Sequence, residues 1–238
     1  MSLYRDVGVV LRTYKLGEAD RIVVICTQNH GKVRAVAKGV RKTRSKFGSR
    51  LEPTSHVLLQ LHEGRELDIV TQAESVEHFG PLREDLDRLG RAASILEAVD
   101  QVSQEREQNP QLYEMVVGAL RAVQHWPSPL VVAAFFFKLL AAEGVGIAVE
   151  GCTECGRDDD LVALDLDSGG LRCSLHREGL PLSDEAVLMV QLILGGRMNQ
   201  ALSLPIGAAT FEVDHLASVA LERHIDRRLR TLRLLDRS

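Results

Sequence analysis

Cysteine is rare in this sequence, with four among 238 residues, and the chain shows no secretory signal sequence. Small secreted proteins that lack a large core are instead rich in paired cysteines. A disulfide framework is therefore excluded, and we expect reduced thiols in a cytoplasmic protein. Cys26 stands alone in an apolar run, which predicts a buried position in a strand.

Long apolar runs and catalytic signatures are also missing. The longest apolar run, from Leu130 to Ala142, contains Lys138 and is too short to cross a bilayer. The sequence has no phosphate-binding loop of the Walker type, no serine in a nucleophile elbow and no H-E-x-x-H pair. These absences predict a protein that is not an enzyme and does not enter the membrane.

The most specific pattern in the chain consists of Cys152, Cys155, Cys173 and His176. These residues form two C-x-x-[C/H] pairs about seventeen residues apart, a spacing typical of a tetrahedral zinc site. Gly156 and the pair Gly169-Gly170 supply the backbone freedom that tight ligand-bearing turns need. Three thiolates and one imidazole fill all four positions around the ion and leave none for a substrate or an activated water. The pattern predicts one structural Zn²⁺ per chain.

Three other interpretations of these residues remain open. Cys152 and Cys155 could be a redox pair, although such motifs open a helix, and here Gly156 and an acidic loop follow. His176 begins an H-x-E sequence like that of zinc deaminases, but in those enzymes the cysteine pair follows the histidine. Here both cysteine elements precede it. The cysteines could also be ordinary buried residues without a metal.

The first 80 residues are dominated by short β-branched runs separated by turns. They predict five strands, at residues 4–14, 21–26, 32–37, 55–62 and 67–76. No helix of any length intervenes, and five short strands favour a small barrel, for which the OB-fold is the commonest five-stranded choice. We therefore predict an α+β protein whose N-terminal domain, residues 1–79, is an OB-fold barrel. His56 and His62 share one face of the fourth strand, where we expect surface positions.

From Pro81 onward the apolar residues recur at spacings of three and four, which is typical of amphipathic helices. The pattern predicts helices at residues 82–102, 110–123, 130–143, 186–194 and from about 214 onward. The helix at 130–143 is apolar on all sides, which predicts the buried centre of a bundle, with Phe135, Phe136 and Phe137 as core residues. The second predicted domain, residues 80–238, is therefore helical and carries a zinc-finger-like insertion at about 150–180.

Positive charge is concentrated at the start of the chain. The first fifty residues carry twelve lysines and arginines against three acids, a net charge of +9, whereas the whole chain has a net charge of −4. No acid lies between Arg21 and Glu52. A chain polarised in this way is suited to an anionic partner.

Most of these cations fall on the third predicted strand and on the loop after it. In the strand, Lys32 and Arg34 alternate with Val33 and Ala35, so the cations share one face. Clustered cations beside a β surface favour a sugar-phosphate backbone, because binding releases condensed counterions. The predicted DNA-binding residues are Lys32, Arg34, Lys38, Arg41, Lys42, Arg44, Lys46 and Arg50. The alternative is a solvated basic loop without a ligand.

Aromatic residues make up only 4% of the chain, and near the basic stretch only Phe47 and Tyr14 could stack on a base. Proteins that bind single strands by stacking use several aromatic platforms. We therefore expect backbone contacts to dominate, which makes binding sensitive to salt and nearly independent of sequence. The last predicted helix points Leu216, Ala220, Ile225, Leu229 and Leu232 inward and Arg223, Arg227, Arg228, Arg230 and Arg233 outward. These arginines fit a solvated face better than a second DNA-binding surface.

Four stretches, at residues 14–23, 31–32, 37–42 and 49–53, resemble the N-terminal domain of the bacterial RecO family of recombination mediators. The order of barrel, helical region and C-x-x-C segment is similar too. The resemblance implies a non-enzymatic, nucleoid-associated protein that binds single- and double-stranded DNA and anneals complementary strands. It also implies that RecR, single-strand-binding protein and, indirectly, RecA are partners.

The chain departs from the RecO pattern at one position. The family often has cysteine as the fourth metal ligand, where this chain has His176. Tetrahedral zinc accepts either residue, so the site remains plausible with His176 as its least typical ligand. A zinc-stabilised RNA-binding or transcription factor built on the same barrel is the alternative function, and recognition of the 2′-hydroxyl would distinguish it.

Overall fold

Two compact units make up the computed structural model, which describes residues 2–231. The first unit comprises the described residues up to His125 together with Arg230 and Thr231. The second unit runs from Trp126 to Leu229. Packing thus groups the first helices with the barrel, whereas the sequence groups them with the other helices. The predicted domain boundary at residue 79 stays a prediction.

The first unit begins with a closed five-stranded barrel, as predicted. Its strands, β1 to β5 in chain order, are Leu3–Leu16, Asp20–Thr27, Gly31–Ala37, His56–His62 and Asp68–Glu77. They pair in the order β1-β2-β3-β5-β4, and β1 also pairs with β4, which closes the barrel. All pairs are antiparallel except β3 with β5, which meet in parallel over two residue pairs. This order is that of an OB-type barrel.

Strand alternation sets the barrel core. Along β3, Val33, Ala35 and Ala37 are fully buried, while Lys32 and Arg34 point outward, as the period of two predicts. The core also takes Phe47 and Leu51 from the loop between β3 and β4. We call this segment, residues 38–55, the β3–β4 loop. The two buried side chains fix the loop against the barrel.

Three helices complete the first unit: α1 at Gly80–Glu84, α2 at Leu86–Val102 and α3 at Pro110–His125. The prediction of one continuous helix at 82–102 was wrong. Asp85 is extended, and its side chain accepts a hydrogen bond from the backbone N–H of Arg88 at 3.0 Å. Asp85 is therefore the N-cap of a new helix, a role that aspartate favours over the helix interior.

His56 is buried, contrary to the expected surface position. Its side chain lies on the outward face of β4, but α3 and Phe79 cover it. His56 Nε2 and the hydroxyl of Tyr113 on α3 share a hydrogen bond of 2.8 Å. The strand pattern could not reveal this burial, because the covering residues are distant in sequence. His62 is exposed, as expected.

The segment between α2 and α3, residues 103–109, runs beside the start of β3. Glu105 forms a parallel bridge with Lys32, and the N–H of Arg106 donates to the Lys32 carbonyl at 3.0 Å. Arg106 also donates to the buried carboxylate of Asp68 at 2.6 Å. Gly31 has φ +65°, and a Cβ there would lie 1.8 Å from the Glu107 carbonyl oxygen. Glycine is therefore required at position 31.

The second unit packs helices around the apolar helix α4. Its elements in chain order are α4 at Leu130–Ala142, β6 at Leu161–Asp165, β7 at Gly170–Cys173, β8 at Leu180–Pro181, α5 at Asp184–Leu194, α6 at Met198–Ser203 and α7 at Ala208–His224. α4 packs mainly on α7, and Phe135, Phe136 and Phe137 are all buried, as predicted. Ser183 caps α5, accepting from the N–H of Ala186. The short helix α6 was not predicted.

The last described helix differs from its prediction at both ends. It starts at Ala208, six residues before the predicted start, and it ends at His224. Asp226 has φ +49°, which no α-helix accommodates. Arg227, Arg228 and Arg230 therefore lie beyond the helix and not on its outer face. The predicted positions of Leu232 and Arg233 fall outside the described residues.

No helix within residues 2–231 has both the length and the apolar character that a membrane span requires.

Candidate nucleic-acid interface and metal centre

The predicted zinc ligands come together in the second unit. The ligand atoms of Cys152, Cys155, Cys173 and His176 all lie within 4.8 Å of one another. Cys155 Sγ is 3.8 Å from Cys173 Sγ, and His176 Nδ1 is 3.5 Å from Cys173 Sγ and 3.9 Å from Cys152 Sγ. Two ligand pairs separated by seventeen residues thus present four donors to one point.

Tight turns position both pairs of ligands, although Gly169 and Gly170 lie at the connection between β6 and β7 and not in the second ligand turn. In the first turn, Gly156 N–H donates to the Cys152 carbonyl at 2.8 Å, and Gly156 has φ +74°. In the second, His176 N–H donates to the Cys173 carbonyl at 2.9 Å, just after β7. Arg172 joins the two regions, because it pairs with Glu154 at 2.8 Å.

The donor set fits a tetrahedral zinc ion. Zinc–sulfur bonds of about 2.3 Å place two sulfurs about 3.8 Å apart at the corners of a tetrahedron, and the shorter bond to nitrogen reduces this to about 3.6 Å. The distance of 3.8 Å between two sulfurs, and those of 3.5 and 3.9 Å from sulfur to nitrogen, match these edges. The four residues therefore form a cluster that could bind a metal ion, with every position filled by protein.

The cluster favours the thiolate form, which binds metals, at Cys152 and Cys173, whereas desolvation and contact with these two thiols raise the pKa of Cys155. Desolvation opposes ionisation of Cys152, but backbone N–H groups, first that of Cys155, lower its pKa to about 6. Desolvation likewise opposes ionisation of Cys173, and contact with His176 outweighs it, so the pKa of Cys173 is lowered. Cys26 is different, because burial raises its pKa to about 12, and the charge of Lys32 only partly opposes this shift. Cys26 is thus an inert core thiol, as its sequence position predicts.

In the first unit, the β3–β4 loop is an ordered structure. Asp20 accepts a hydrogen bond from the N–H of Gly39 at 2.7 Å, and Arg41 N–H donates to the Ala19 carbonyl at 2.9 Å. Arg21 pairs with Glu52 at 2.6 Å near the other end of the loop. Together with the buried side chains of Phe47 and Leu51, these contacts attach the loop to the barrel.

Six of the eight predicted DNA-binding residues lie on this loop and are exposed. They are Lys38, Arg41, Lys42, Arg44, Lys46 and Arg50. Arg41 donates to the carbonyl of Glu18 at 2.9 Å, Lys46 to that of Thr71 at 2.9 Å, and Arg50 to that of Lys46 at 3.1 Å. The side chains of Lys38, Lys42 and Arg44 make no hydrogen bond or ion pair within residues 2–231. Because carbonyl groups carry no net charge, all six positive charges lack a carboxylate partner in this part of the chain.

Lys32 and Arg34 are on β3, and both contact acids. Lys32 Nζ donates to the Asp100 carbonyl at 2.7 Å and lies 3.5 Å from the Asp100 carboxylate. Arg34 pairs with Glu105 at 3.2 Å. The structure thus divides the predicted residues into a group of six free charges and a group of two paired ones.

A groove on the outer face of β1–β3 contains the paired group. Its volume is about 390 Å³, and Arg12, Tyr14, Lys32, Arg34, Asp100 and Glu105 line it. Arg12 lies 2.7 Å from Asp100, and its guanidinium carbon is 4.7 Å from the centre of the Tyr14 ring. OB-fold barrels bind oligonucleotides along this side of the sheet.

The two aromatic residues that were candidates for stacking on a base lie in different environments. Phe47 cannot stack on a base, because it is buried in the barrel core, and this prediction was wrong. Tyr14 is 40% exposed in the groove, so its ring is accessible. Arg12 was not predicted, although strand parity with Tyr14 places it on the same face. Asp100 and Glu105 were not predicted either, because no local pattern connects them with the cations.

The structure combines an OB-type barrel, a set of helices and a Cys₃His cluster. The chain is therefore of the class of barrel proteins that carry a metal-binding segment. Family comparison is more specific. Residues 1–79 match the model described as Recombination protein O N terminal, and residues 83–233 match Recombination protein O C terminal. A DNA repair protein RecO of Frankia casuarinae is 41% identical over 244 residues, covering 100% of both chains. The chain belongs to the recombination protein O family, whose role is in DNA repair and recombination.

Proposed function

We propose that this chain is a non-enzymatic recombination mediator that binds single- and double-stranded DNA through the β3–β4 loop. The observation that carries the proposal is the group of six exposed cations, from Lys38 to Arg50, none of which contacts a carboxylate within the described residues. A compact patch of uncompensated charge attracts phosphates and gains affinity from counterion release. The proposed DNA-binding set comprises these six residues together with Lys32 and Arg34.

Annealing of complementary strands follows from the same surface. Two strands repel each other through their phosphates, and a basic patch that neutralises both strands reduces this repulsion. Phe47 is buried, so the loop offers no aromatic platform that would occupy the bases. The Watson–Crick edges of both strands therefore remain free to pair.

The proposed partners follow from membership of the recombination protein O family. With RecR, the protein would help to load RecA onto single-stranded DNA that is coated by single-strand-binding protein. We place this activity in the cytoplasm, on the nucleoid, where the DNA is.

The metal centre is proposed to hold one structural Zn²⁺ per chain. The ion would be held by Cys152, Cys155, Cys173 and His176. It would cross-link the two turns and would take no part in a reaction. Four protein ligands leave no position for a substrate, which supports a protein without enzymatic activity.

The double variant Lys42→Ala/Arg44→Ala tests the DNA surface directly. Both side chains are exposed and unbonded within the described part of the chain, so the fold should persist. We expect weaker binding to every DNA sequence, slower strand annealing and a salt slope on single strands that is flatter by about 1.4, or about 0.7 per lost phosphate contact. Fluorescence anisotropy at several salt concentrations measures both affinity and slope.

Lys138→Ala/Arg197→Ala is the matched control, because it removes the same two residue types from exposed positions of the second unit. Equal losses of affinity in the two double variants would contradict the proposed surface. Competition with RNA of the same sequence distinguishes the proposed DNA binding from the alternative function, a zinc-stabilised RNA-binding or transcription factor. An RNA-binding factor would prefer RNA through its 2′-hydroxyls, whereas a charge-based DNA binder should show little preference.

A further inference from the structure

Carboxylates already contact the cations on the outer face of the barrel. Asp100 on α2 lies 2.7 Å from Arg12 and 3.5 Å from Lys32, and Glu105 lies 3.2 Å from Arg34. These are the groups that DNA phosphates would otherwise contact. Each groove cation therefore has a carboxylate partner, with two carboxylates for three cations, whereas the six cations of the β3–β4 loop have none in the described residues.

The two acids differ in how firmly they hold their partners. The Asp100 side chain is 3% exposed and serves two cations, so opening this cluster would leave a buried charge unpaired. Glu105 and Arg34 have side chains that are 49% and 41% exposed. An ion pair this exposed is weak, because water and salt screen it. Arg34 is thus the groove cation that a phosphate could take over.

Glu105 is held near Arg34 by its backbone. The bridge between Glu105 and Lys32, and the hydrogen bond from Arg106 N–H to the Lys32 carbonyl, fix residues 105 and 106 alongside β3. The backbone therefore keeps the Glu105 carboxylate within reach of Arg34.

The groove and the loop adjoin in the chain. Lys38 is the first residue after β3, so the loop continues directly from the strand that carries Arg34. Arg34 also lies in one row with Val24 and Arg12, because these residues are register partners across β1, β2 and β3. A strand bound at Lys38 could continue along β3 toward Arg34 and the exposed ring of Tyr14.

We propose that Glu105 acts as a phosphate mimic that occupies Arg34 and restricts single-stranded DNA to the β3–β4 loop. DNA extends into the groove only by displacing this carboxylate. The inference rests on the proposed DNA-binding function and adds its regulation. The chain lowers its own affinity for single-stranded DNA. A mediator that must release DNA after annealing benefits from such competition.

The variant Glu105→Gln tests this proposal, because it removes the charge and keeps the shape. We expect single-strand affinity to rise about two- to fivefold at low salt, the range that one exposed ion pair supports. The salt slope should become steeper by about 0.7, because one more phosphate contact forms. Glu107→Gln is the matched control, since Glu107 is exposed and pairs with no cation in the described residues. It should leave the slope unchanged.

Arg34→Ala completes a double-variant cycle. In the Glu105→Gln background it should remove the whole gain, so that Arg34→Ala and the double variant Glu105→Gln/Arg34→Ala bind single strands equally. Equal slopes for Glu105→Gln and Glu107→Gln would overturn the proposal, and so would a gain that persists without Arg34. If Lys42→Ala/Arg44→Ala lowers affinity while Glu105→Gln has no effect, only this inference fails. If the wild-type protein does not bind DNA at all, the proposed function fails with it.

Discussion

The barrel and the metal centre are stabilised in different ways. Thirteen buried apolar residues from all five strands and the β3–β4 loop form the barrel core. Around the metal centre, the strands β6, β7 and β8 have only five, four and two residues. Strands this short bury little apolar surface, and a four-ligand metal site can replace the missing core. The comparison suggests that DNA contact and metal binding are separable properties of the chain.

The largest effect is expected from Cys173→Ser, which removes a ligand. Structural zinc contributes about 10–16 kcal/mol of apparent binding energy in zinc-finger peptides, so the metal segment should unfold. Metal analysis should find one zinc per wild-type chain and less in the variant, and calorimetry should show a destabilised second unit. DNA affinity per folded molecule should change little.

Cys26→Ala is the control for metal loss, since Cys26 is a core thiol outside the cluster. It should keep the zinc. Identical unfolding curves with and without a chelator would show that the metal does not stabilise the fold. The metal centre would then not be stabilised differently from the barrel.

Phe47→Ala should have the next largest effect, and this effect should fall on the barrel. Phe47 is 1% exposed in the barrel core, and truncating a buried phenylalanine costs about 3–5 kcal/mol. The β3–β4 loop loses its anchor, so DNA affinity should fall along with barrel stability. Bound zinc should remain. Phe211→Ala, at a 60% exposed position of the second unit, should change stability by less than about 0.5 kcal/mol.

Tyr113→Phe tests how α3 is attached to the barrel. The change leaves His56 Nε2 buried without its hydrogen-bond partner, which costs about 1–3 kcal/mol. Chemical unfolding of the variant measures this loss. Tyr14→Phe removes a hydroxyl with no hydrogen bond in the described residues and should be neutral. A loss of stability in Tyr14→Phe as large as that in Tyr113→Phe would contradict the assignment.

The smallest effect is a pH dependence of stability. Burial lowers the pKa of His56 below its usual value of 6.5, although Glu77 at 3.6 Å opposes this shift, while Arg121 adds to it. The unfolded chain then binds a proton more readily than the folded one, so stability is fully present above about pH 6.5 and falls as the pH drops below it. His56→Gln should flatten this dependence, and His62→Gln, at an exposed site, should not. A free energy of unfolding that is constant from pH 7 to pH 5 would contradict this role of His56.

Much of the fold was predictable because local patterns determine it. Alternation along β3 identified the inward Val33 and the outward Arg34, and the C-x-x-C spacing identified all four cluster residues. The break at Asp85 was missed, because the apolar spacing of three and four continues on both sides of a capping residue. Local signals therefore gave the elements and the cluster but not every helix end.

Contacts between distant residues were not predictable in this way. Phe47 is in a polar, basic loop, and nothing near it in the sequence shows that it fills the barrel. Glu105 and Arg34 are 71 residues apart, so the charge count of the first fifty residues could not reveal their pairing. The candidate surface was thus correctly described as basic in sequence, while its division into free and paired charges required the fold.

The segment at residues 103–109 has a consequence for self-association. β3 meets β5 over only two residue pairs, so the backbone beside Lys32 would be an open strand edge without Arg106. An open edge is a template on which another chain can add a strand and start aggregation. A fragment that stops at residue 79 keeps every strand of the barrel but loses this cover. Such a fragment should therefore precipitate or form oligomers at concentrations where the longer chain stays dispersed.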